Sequence, residues 1–483
     1  MQTVTFAHLW IDGAFRANVA VQIDDEGRAT RLTAGPSAAQ QMGTEPSAAA
    51  RSAAYVPGLT LPGLGDAHCH AFQRLLPAWT QRARTSGGQL LSAGEDFWSW
   101  REAMYTAAAK IGYQDLEAIA ARCYLDLLRG GYTGVAEFLY LHRLGGGANA
   151  PLDADVAIAR AAARTGIRLT LLPTLYQHSH FGRLAPTPGQ SPFIRSTEQF
   201  MLDFRELRRR YPLDGETALG AAFHSLRAVD VDTIASVAAQ LELGGQCAVM
   251  HIHVAEQPAE VAGCRDYYGS TPVALLAERG LLGQHWALIH ATHTTAAELT
   301  QIAASGAILV LCPTTEADLG DGCADAAHFL DAGGRLAIGS DSNIGCNALR
   351  ELRQLEWAQR LLRGRRNVLA SASEPAVADR LYRAVLQGGW AALGRGGELG
   401  RADFVTFDAN EGDWQQLPPE YYLSALVFGA TAPVARQVMV GGRWVIRDGR
   451  HAQEAEIDAR YRATLERLKL PLRTALMAPL PGG

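Results

Sequence analysis

Lysine is nearly missing from this chain: of its 44 basic residues only Lys110 and Lys469 are lysines. A reaction that needs an active-site amine therefore has almost no candidates. Long apolar runs are also missing, so no segment reads as a membrane span. The start, MQTVTFAHLWIDGAFRANVAV, has neither the basic beginning nor the apolar core of a signal peptide and reads as strands. No CxxC pair occurs among the seven cysteines, which excludes a disulfide framework and a zinc knuckle and suits a reducing, cytoplasmic compartment. Excess positive charge is absent too. A net charge of −5 leaves no basic footprint for nucleic acid.

What is present is a large foldable chain. Its 483 residues, 48% hydrophobic and 19% charged, suit one large domain with a smaller companion. Eight short apolar or β-branched runs recur between segments of helical spacing: LPGLGDAHCH, YTGVAEFLY, LTLLPTLY, ALGAAFHS, CAVMHIHVAE, WALIHATH, AILVLCPTT and LAIGSDS. Eight βα units in succession predict an α/β fold, a parallel (β/α)8 barrel over residues 60–395. Strands return without helices after about residue 395, and VGGRWVIRDG reads as a tight hairpin. We expect residues 1–59 and 396–450 to build one flanking β-sandwich, and 451–483 to form a helical tail. The Ala/Ser-rich stretch 33–54 reads as a loop.

The chemistry gathers at strand ends. His68 and His70 lie two apart in the first run, so both imidazoles face one side, at the mouth where such barrels carry their sites. Imidazole suits zinc. In His251-Ile252-His253-Val254-Ala255-Glu256, His253 is the natural third ligand, while His251 sits one layer deeper and reads as a hydrogen-bonded core residue. His290 is favoured over His293 in the sixth run. Asp341 ends the eighth and completes a His/His/His/Asp set. Read alone, Asp341 could simply cap the next helix. Gln73-Arg74 and Phe223-His224-Ser225-Leu226-Arg227 are further polar groups at strand ends. The Phe97–Glu102 segment, FWSWRE, reads as a short helix; its tryptophans could form a lid or merely pack on the barrel.

These residues resemble the amidohydrolase superfamily, and several stretches resemble formimidoylglutamate deiminases: HAFQRLL (70–76), FWSWREAMY (97–105), HSLRAV (224–229), HIHVAEQ (251–257), HATH (290–293), LCPTTEADLGDG (311–322) and GSDS (339–342). The resemblance spans nearly the whole barrel. It implies one Zn2+ per subunit, held by His68, His70, His253 and Asp341. It implies a catalytic set of Glu256, His290 and Asp341, and substrate contacts from Gln73, Arg101, Tyr140, His224 and Arg227. The reaction implied is hydrolysis of N-formimino-L-glutamate to N-formyl-L-glutamate and ammonia. The alternative is a related aminohydrolase acting on another amidine or a heterocyclic amine such as guanine. Two-metal members of the superfamily bridge their metals with a carboxylated lysine. Neither lysine here ends a strand, which agrees with a single metal. The partner expected is a small dicarboxylate amidine, with no nucleic acid and no membrane. A homodimer is the expected assembly, although nothing in the sequence itself fixes it. One departure from the family pattern is Asn343, where a histidine is expected.

Overall fold

The computed structural model describes residues 1–33, 54–81, 85–86, 89–90, 96–145, 150, 152–211, 217–243, 245, 249–396, 400–408, 416–431 and 433–475. The Ala/Ser-rich stretch lies mostly outside them. All eight expected runs carry barrel strands: β1 (Leu64–Cys69), β2 (Tyr132–Leu139), β3 (Arg168–Leu175), β4 (Ala221–Ser225), β5 (Met250–Val254), β6 (Trp286–His290), β7 (Ile308–Leu311) and β8 (Arg335–Ile338). They pair in chain order, every pair parallel. Strands β2 and β3 are buried along their whole length. That explains their continuous apolar character, since a parallel sheet is covered on both faces. The intervening helices bury one stripe. In Asp153–Thr165 that stripe includes Ala154, Ala157, Ile158, Ala161 and Thr165.

The barrel closes between its last and first strands just past β8. Asp341 N–H donates to His68 O (2.8 Å) and His70 N–H donates to Asp341 O (3.0 Å). The Asp66 carboxylate accepts from the Ser340 amide (2.8 Å) and hydroxyl (2.6 Å). Gly339 is forced here: a Cβ would stand 2.7 Å from His68 Cβ and 2.8 Å from its carbonyl oxygen. Asn343 completes the seam. Its Nδ2 donates to His70 O (2.8 Å) and Asp341 O (3.1 Å).

Both chain ends do build the flanking unit, but it is hydrogen-bonded as one continuous eight-stranded sheet. Gln2–Ile11 pairs parallel with Ala54–Pro62, which pairs antiparallel with Phe404–Phe407. The sheet gathers its own apolar cluster, including Val4, Phe6, Val21 and Phe404, while Trp10, Phe15, Leu59 and Leu61 join the barrel core. The expected hairpin turns at Gly441 and Gly442, with φ of +53° and +76°, values that suit a glycine pair. The terminal helix Glu454–Ala475 lies on the barrel, with Asp458 paired to Arg122 at 2.6 Å and Ile457 buried. Among the described residues no helix is long and apolar enough to cross a membrane.

A buried ion pair ties the two units. The Arg168 guanidinium at the base of β3 reaches Asp403 at 2.7 Å, the side chains 1% and 6% exposed, and lies 4.6 Å over the Trp390 ring. Removing one partner of such a pair strands a buried charge. Arg168→Met should cost about 3–5 kcal/mol in chemical denaturation, and the double variant with Asp403→Leu should recover much of that. A loss below about 1 kcal/mol would mean that water reaches the pair.

Candidate active site

The barrel mouth holds backbone that ordinary residues avoid. Ala255, His290, Ala291, Asp341 and Asn343 adopt φ of +50°, +70°, +47°, +48° and +63°. Left-handed backbone at non-glycine residues costs of order 1–3 kcal/mol each and persists where the surroundings enforce it, commonly at functional sites. Here it turns the chain sharply at the ends of β5, β6 and β8, where the polar side chains emerge.

Those side chains converge. His253 Nε2 lies 3.0 Å from His68 Nε2. Asp341 Oδ1 is 3.5 Å from Nε2 of both His68 and His70. Two rings are locked by backbone carbonyls: His70 Nδ1–H donates to Phe138 O and His253 Nδ1–H donates to His224 O, each at 2.9 Å. Carbonyls only accept, so both rings present a bare Nε2 inwards. Burial, with the neighbouring imidazoles, drives His68 and His253 well below the usual histidine range and His70 down to about 3. These are neutral imidazoles, the form that ligates a metal. His68, His70 and His253 form one triad of ligand atoms within 4.8 Å of one another, and His68, Asp341 and His290 form an overlapping second, an arrangement that fits a divalent cation of the zinc type. Fixing ligand rings through Nδ1 is the usual way a protein holds such a cage.

His290 stands beside this cage, between carboxylates. Its Nε2 is 3.6 Å from Glu256 Oε1 and 3.7 Å from Asp341 Oδ2, and its Nδ1 is 3.3 Å from Glu316 Oε1. Burial disfavours the imidazolium, yet the carboxylates of Glu256, Asp341 and Glu316 outweigh it and push His290 up to about 10. Burial also raises Glu256 to about 7, against the pull of His290 and Arg227. A carboxyl group in that range can both give and take a proton near neutral pH.

Two guanidiniums also stand at the mouth. Arg227 is 3% exposed, its Nε 3.8 Å from Glu260. The Arg101 guanidinium lies 4.4 Å from the Trp98 ring, and that of Arg227 lies 5.8 Å from the same ring. Among the described residues, Nε of neither arginine has a hydrogen-bond partner. Trp98 thus faces the arginines, while Trp100 packs on the core and Phe97 is buried against both tryptophans. Gln73 Nε2 donates to Tyr140 Oη (2.7 Å), and the His224 ring lies 5.3 Å from that of Tyr140 and 5.1 Å from that of His253.

The expected metal ligands and Glu256, His290, Gln73, Tyr140, His224, Arg101 and Arg227 thus gather at the mouth, whereas Arg74 pairs with Asp126 at 3.1 Å. His251 instead donates through Nε2 to Ala392 O (2.8 Å), deep in the barrel, as a core histidine should. Asn343 is occupied by the seam and by Cys123 Sγ, 3.0 Å from its Oδ1. Its place is behind the cage rather than in the substrate space. The residues we did not single out are Glu316, Glu260 and Asp321. Glu260 accepts from the amides of Ala255 and Glu256 (both 3.3 Å) and so shapes the turn after β5. Asp321 accepts from Gln257 Nε2. The signal was available for two of them, since Glu316 and Asp321 both fall within LCPTTEADLGDG.

A cage of three histidines and an aspartate at the mouth of a (β/α)8 barrel, beside a sheet made from both chain ends, marks a metal-dependent hydrolase. The chain belongs to the amidohydrolase family, whose model matches residues 59–445. It is 42% identical over 415 residues to the formimidoylglutamate deiminase of Pseudomonas aeruginosa, covering 85% of this chain and 89% of that one. An 8-oxoguanine deaminase of the same organism is 27% identical over 432 residues, 85% of this chain and 87% of that protein. Among solved structures, an amidohydrolase from Brucella melitensis superimposes with a TM-score of 0.86 at 34% identity, covering 97% of this chain and all (100%) of that one. An adenosine deaminase from Xanthomonas campestris with bound zinc shares the fold, with a TM-score of 0.76 at 22% identity over 97% of this chain and 98% of its own.

Proposed function

We propose that this chain hydrolyses N-formimino-L-glutamate to N-formyl-L-glutamate and ammonia, using one zinc ion held by His68, His70, His253 and Asp341. The observation that carries the reading is the polarity of the mouth. Carboxylates Glu256, Glu316 and Asp341 surround His290, and beside this group stand two guanidiniums whose Nε–H groups have no hydrogen-bond partner among the described residues. A formimino group is an amidine, basic and cationic near neutral pH; glutamate supplies two carboxylates. The site and this substrate are complementary in charge. The 42% identical relative bears the name of this activity. A neutral flat ring such as guanine would offer Arg101 no carboxylate and leave Arg227 with Glu260 alone, 3.8 Å from its Nε.

When bound, zinc lowers the pKa of water from about 15.7 to about 7 and so supplies a nucleophile at neutral pH. Asp341, beside the histidine cage, accepts the proton of the attacking water. Its other oxygen, Oδ2, faces His290. Glu316 takes the Nδ1–H of His290 and fixes that ring, so Nε2 points at the centre and can hold the oxygen that adds to the formimino carbon. Glu256 passes a proton to the departing nitrogen, which leaves as ammonia as the C–N bond breaks and the formyl C=O forms. Arg101 and Arg227 each offer a planar fork to a carboxylate, with Gln73, Tyr140 and His224 completing the wall. The six described cysteines are all free thiols, which supports a reducing, cytoplasmic setting; a homodimer remains our expected assembly.

The test is ammonia release by zinc-loaded enzyme from N-formimino-L-glutamate, beside formiminoglycine, guanine and cytosine. Fast turnover of formiminoglutamate alone is expected. Turnover of guanine or cytosine instead would overturn the substrate and keep the metal chemistry. Arg227→Ala should raise KM about 10–100-fold, the loss of a hydrogen bond to a charged group, with zinc still bound. An unchanged KM would make Arg227 only the structural partner of Glu260.

A further inference from the structure

The mouth contains two glutamine–tyrosine pairs, and only one of them involves residues already given a substrate role. In the first, Gln73 Nε2 donates to Tyr140 Oη. In the second, Gln190 Nε2 donates to Tyr176 Oη, also at 2.7 Å, with Gln190 1% and Tyr176 2% exposed. The orientation of Gln190 is fixed by its other end, because Oε1 accepts the Thr187 amide at 2.8 Å. An amide held this way can only donate to the phenol. The Tyr176 hydroxyl is therefore an acceptor towards Gln190, and its own proton points elsewhere.

The surroundings limit where that proton can go. The Tyr176 ring packs on His224 with centroids 4.4 Å apart. Its Oη is 3.5 Å from Tyr105 Oη, a long contact, and Tyr105 in turn lies 5.5 Å beneath the Arg101 guanidinium. The chain just past Tyr176 is bonded to the turn that carries Arg227, since the amides of Gln177 and His178 both donate to Ala228 O at 2.9 Å. The second pair thus places an oriented O–H beside the turn of Arg227 and, across Tyr105, on the side of Arg101, the two guanidiniums whose Nε–H groups lack a hydrogen-bond partner among the described residues. Such a cluster of donors calls for an anion with several lone pairs.

We propose that Tyr176, aimed by Gln190, is a substrate-binding residue that donates its hydroxyl hydrogen to the substrate carboxylate gripped by Arg227, and that Gln190 is its positioning residue. The inference rests on the dicarboxylate reading above and deepens it, since it makes the anion subsite a guanidinium plus a phenol rather than a lone ion pair. Charge-assisted O–H···O− bonds are short and strong, and a phenol adds direction where a guanidinium alone tolerates several poses.

Tyr176→Phe deletes one oxygen and keeps the ring on His224. It should raise KM for N-formimino-L-glutamate about 10–100-fold and raise the inhibition constant of glutarate by a similar factor. Turnover at saturation, zinc content and Tm should stay near wild type. A merely structural hydroxyl would instead lower Tm or kcat and leave glutarate binding alone. Should Tyr176→Phe fold poorly, Gln190→Met leaves the phenol in place but unaimed, and the same selective, smaller rise in both constants is expected. Unchanged KM and glutarate inhibition in either folded variant overturn the proposal while wild-type turnover upholds the functional reading. A wild-type enzyme that neither binds glutarate nor turns over formiminoglutamate overturns both.

Discussion

Asp341→Ala should lower turnover of N-formimino-L-glutamate by at least about 10⁴-fold, because one carboxylate has two tasks. It closes the cage, 3.5 Å from Nε2 of both His68 and His70, and it stands where the proton of the attacking water must go. General acid–base help alone is worth roughly 10²–10⁴-fold, and disturbing the metal adds to the loss. Bound zinc, measured by elemental analysis, should fall below one per chain. The backbone of residue 341 has a left-handed φ of +48°, so Asp341→Asn, which tolerates that conformation, is the companion that separates chemistry from folding. Asp341→Asn should be comparably inactive with an undisturbed Tm. Activity within tenfold of wild type in Asp341→Asn would remove this residue from the mechanism.

Glu256→Gln should lower kcat by about 10²–10⁴-fold and leave zinc content unchanged. The separation follows from geometry. Glu256 touches His290, 3.6 Å from Nε2, and is not among the residues whose atoms converge on the cage. Its amide is anchored to Glu260, so the shape of the turn does not depend on the Glu256 carboxylate. Glutamine matches the size and cannot pass a proton. KM should change only a few-fold, because the arginines, not Glu256, are proposed to bind the carboxylates. Near-normal kcat would exclude Glu256 as the proton shuttle.

The parts of this site that could be read from the sequence are those fixed by strand geometry. His68 and His70 lie two apart at a strand end, and one face of a strand is an arithmetic fact. The same rule put His251 one layer below His253, where its Nε2 meets Ala392 O. What spacing could not reach are contacts made by loops from different βα units. Glu316 finds His290 because the helix after β7 starts at Pro313, which sets that carboxylate beside β6. Gln190 meets Tyr176 only because the loop after β3 folds back over its own strand. The flanking sheet was legible as strands from both ends. Its parallel pairing of Gln2–Ile11 with Ala54–Pro62 was not, because alternation shows which face is buried and not which neighbour a strand takes. Asn343 was noticed as a departure from the family pattern, but its use at the closing seam depends on two carbonyls that follow the first and the last strand of the barrel.

That seam has a consequence for how the enzyme matures. The ligand pair His68 and His70 leaves the ribosome with the first strand, whereas Asp341 arrives only with the last. Asp341 N–H reaches His68 O only when the sheet has come full circle. A nascent chain therefore cannot bring Asp341 to the two histidines, and the proposed metal would be captured only at the end of folding. A metal held by His68, His70, His253 and Asp341 would then tie the first strand to the last like a clasp, and only a correctly closed barrel could hold it.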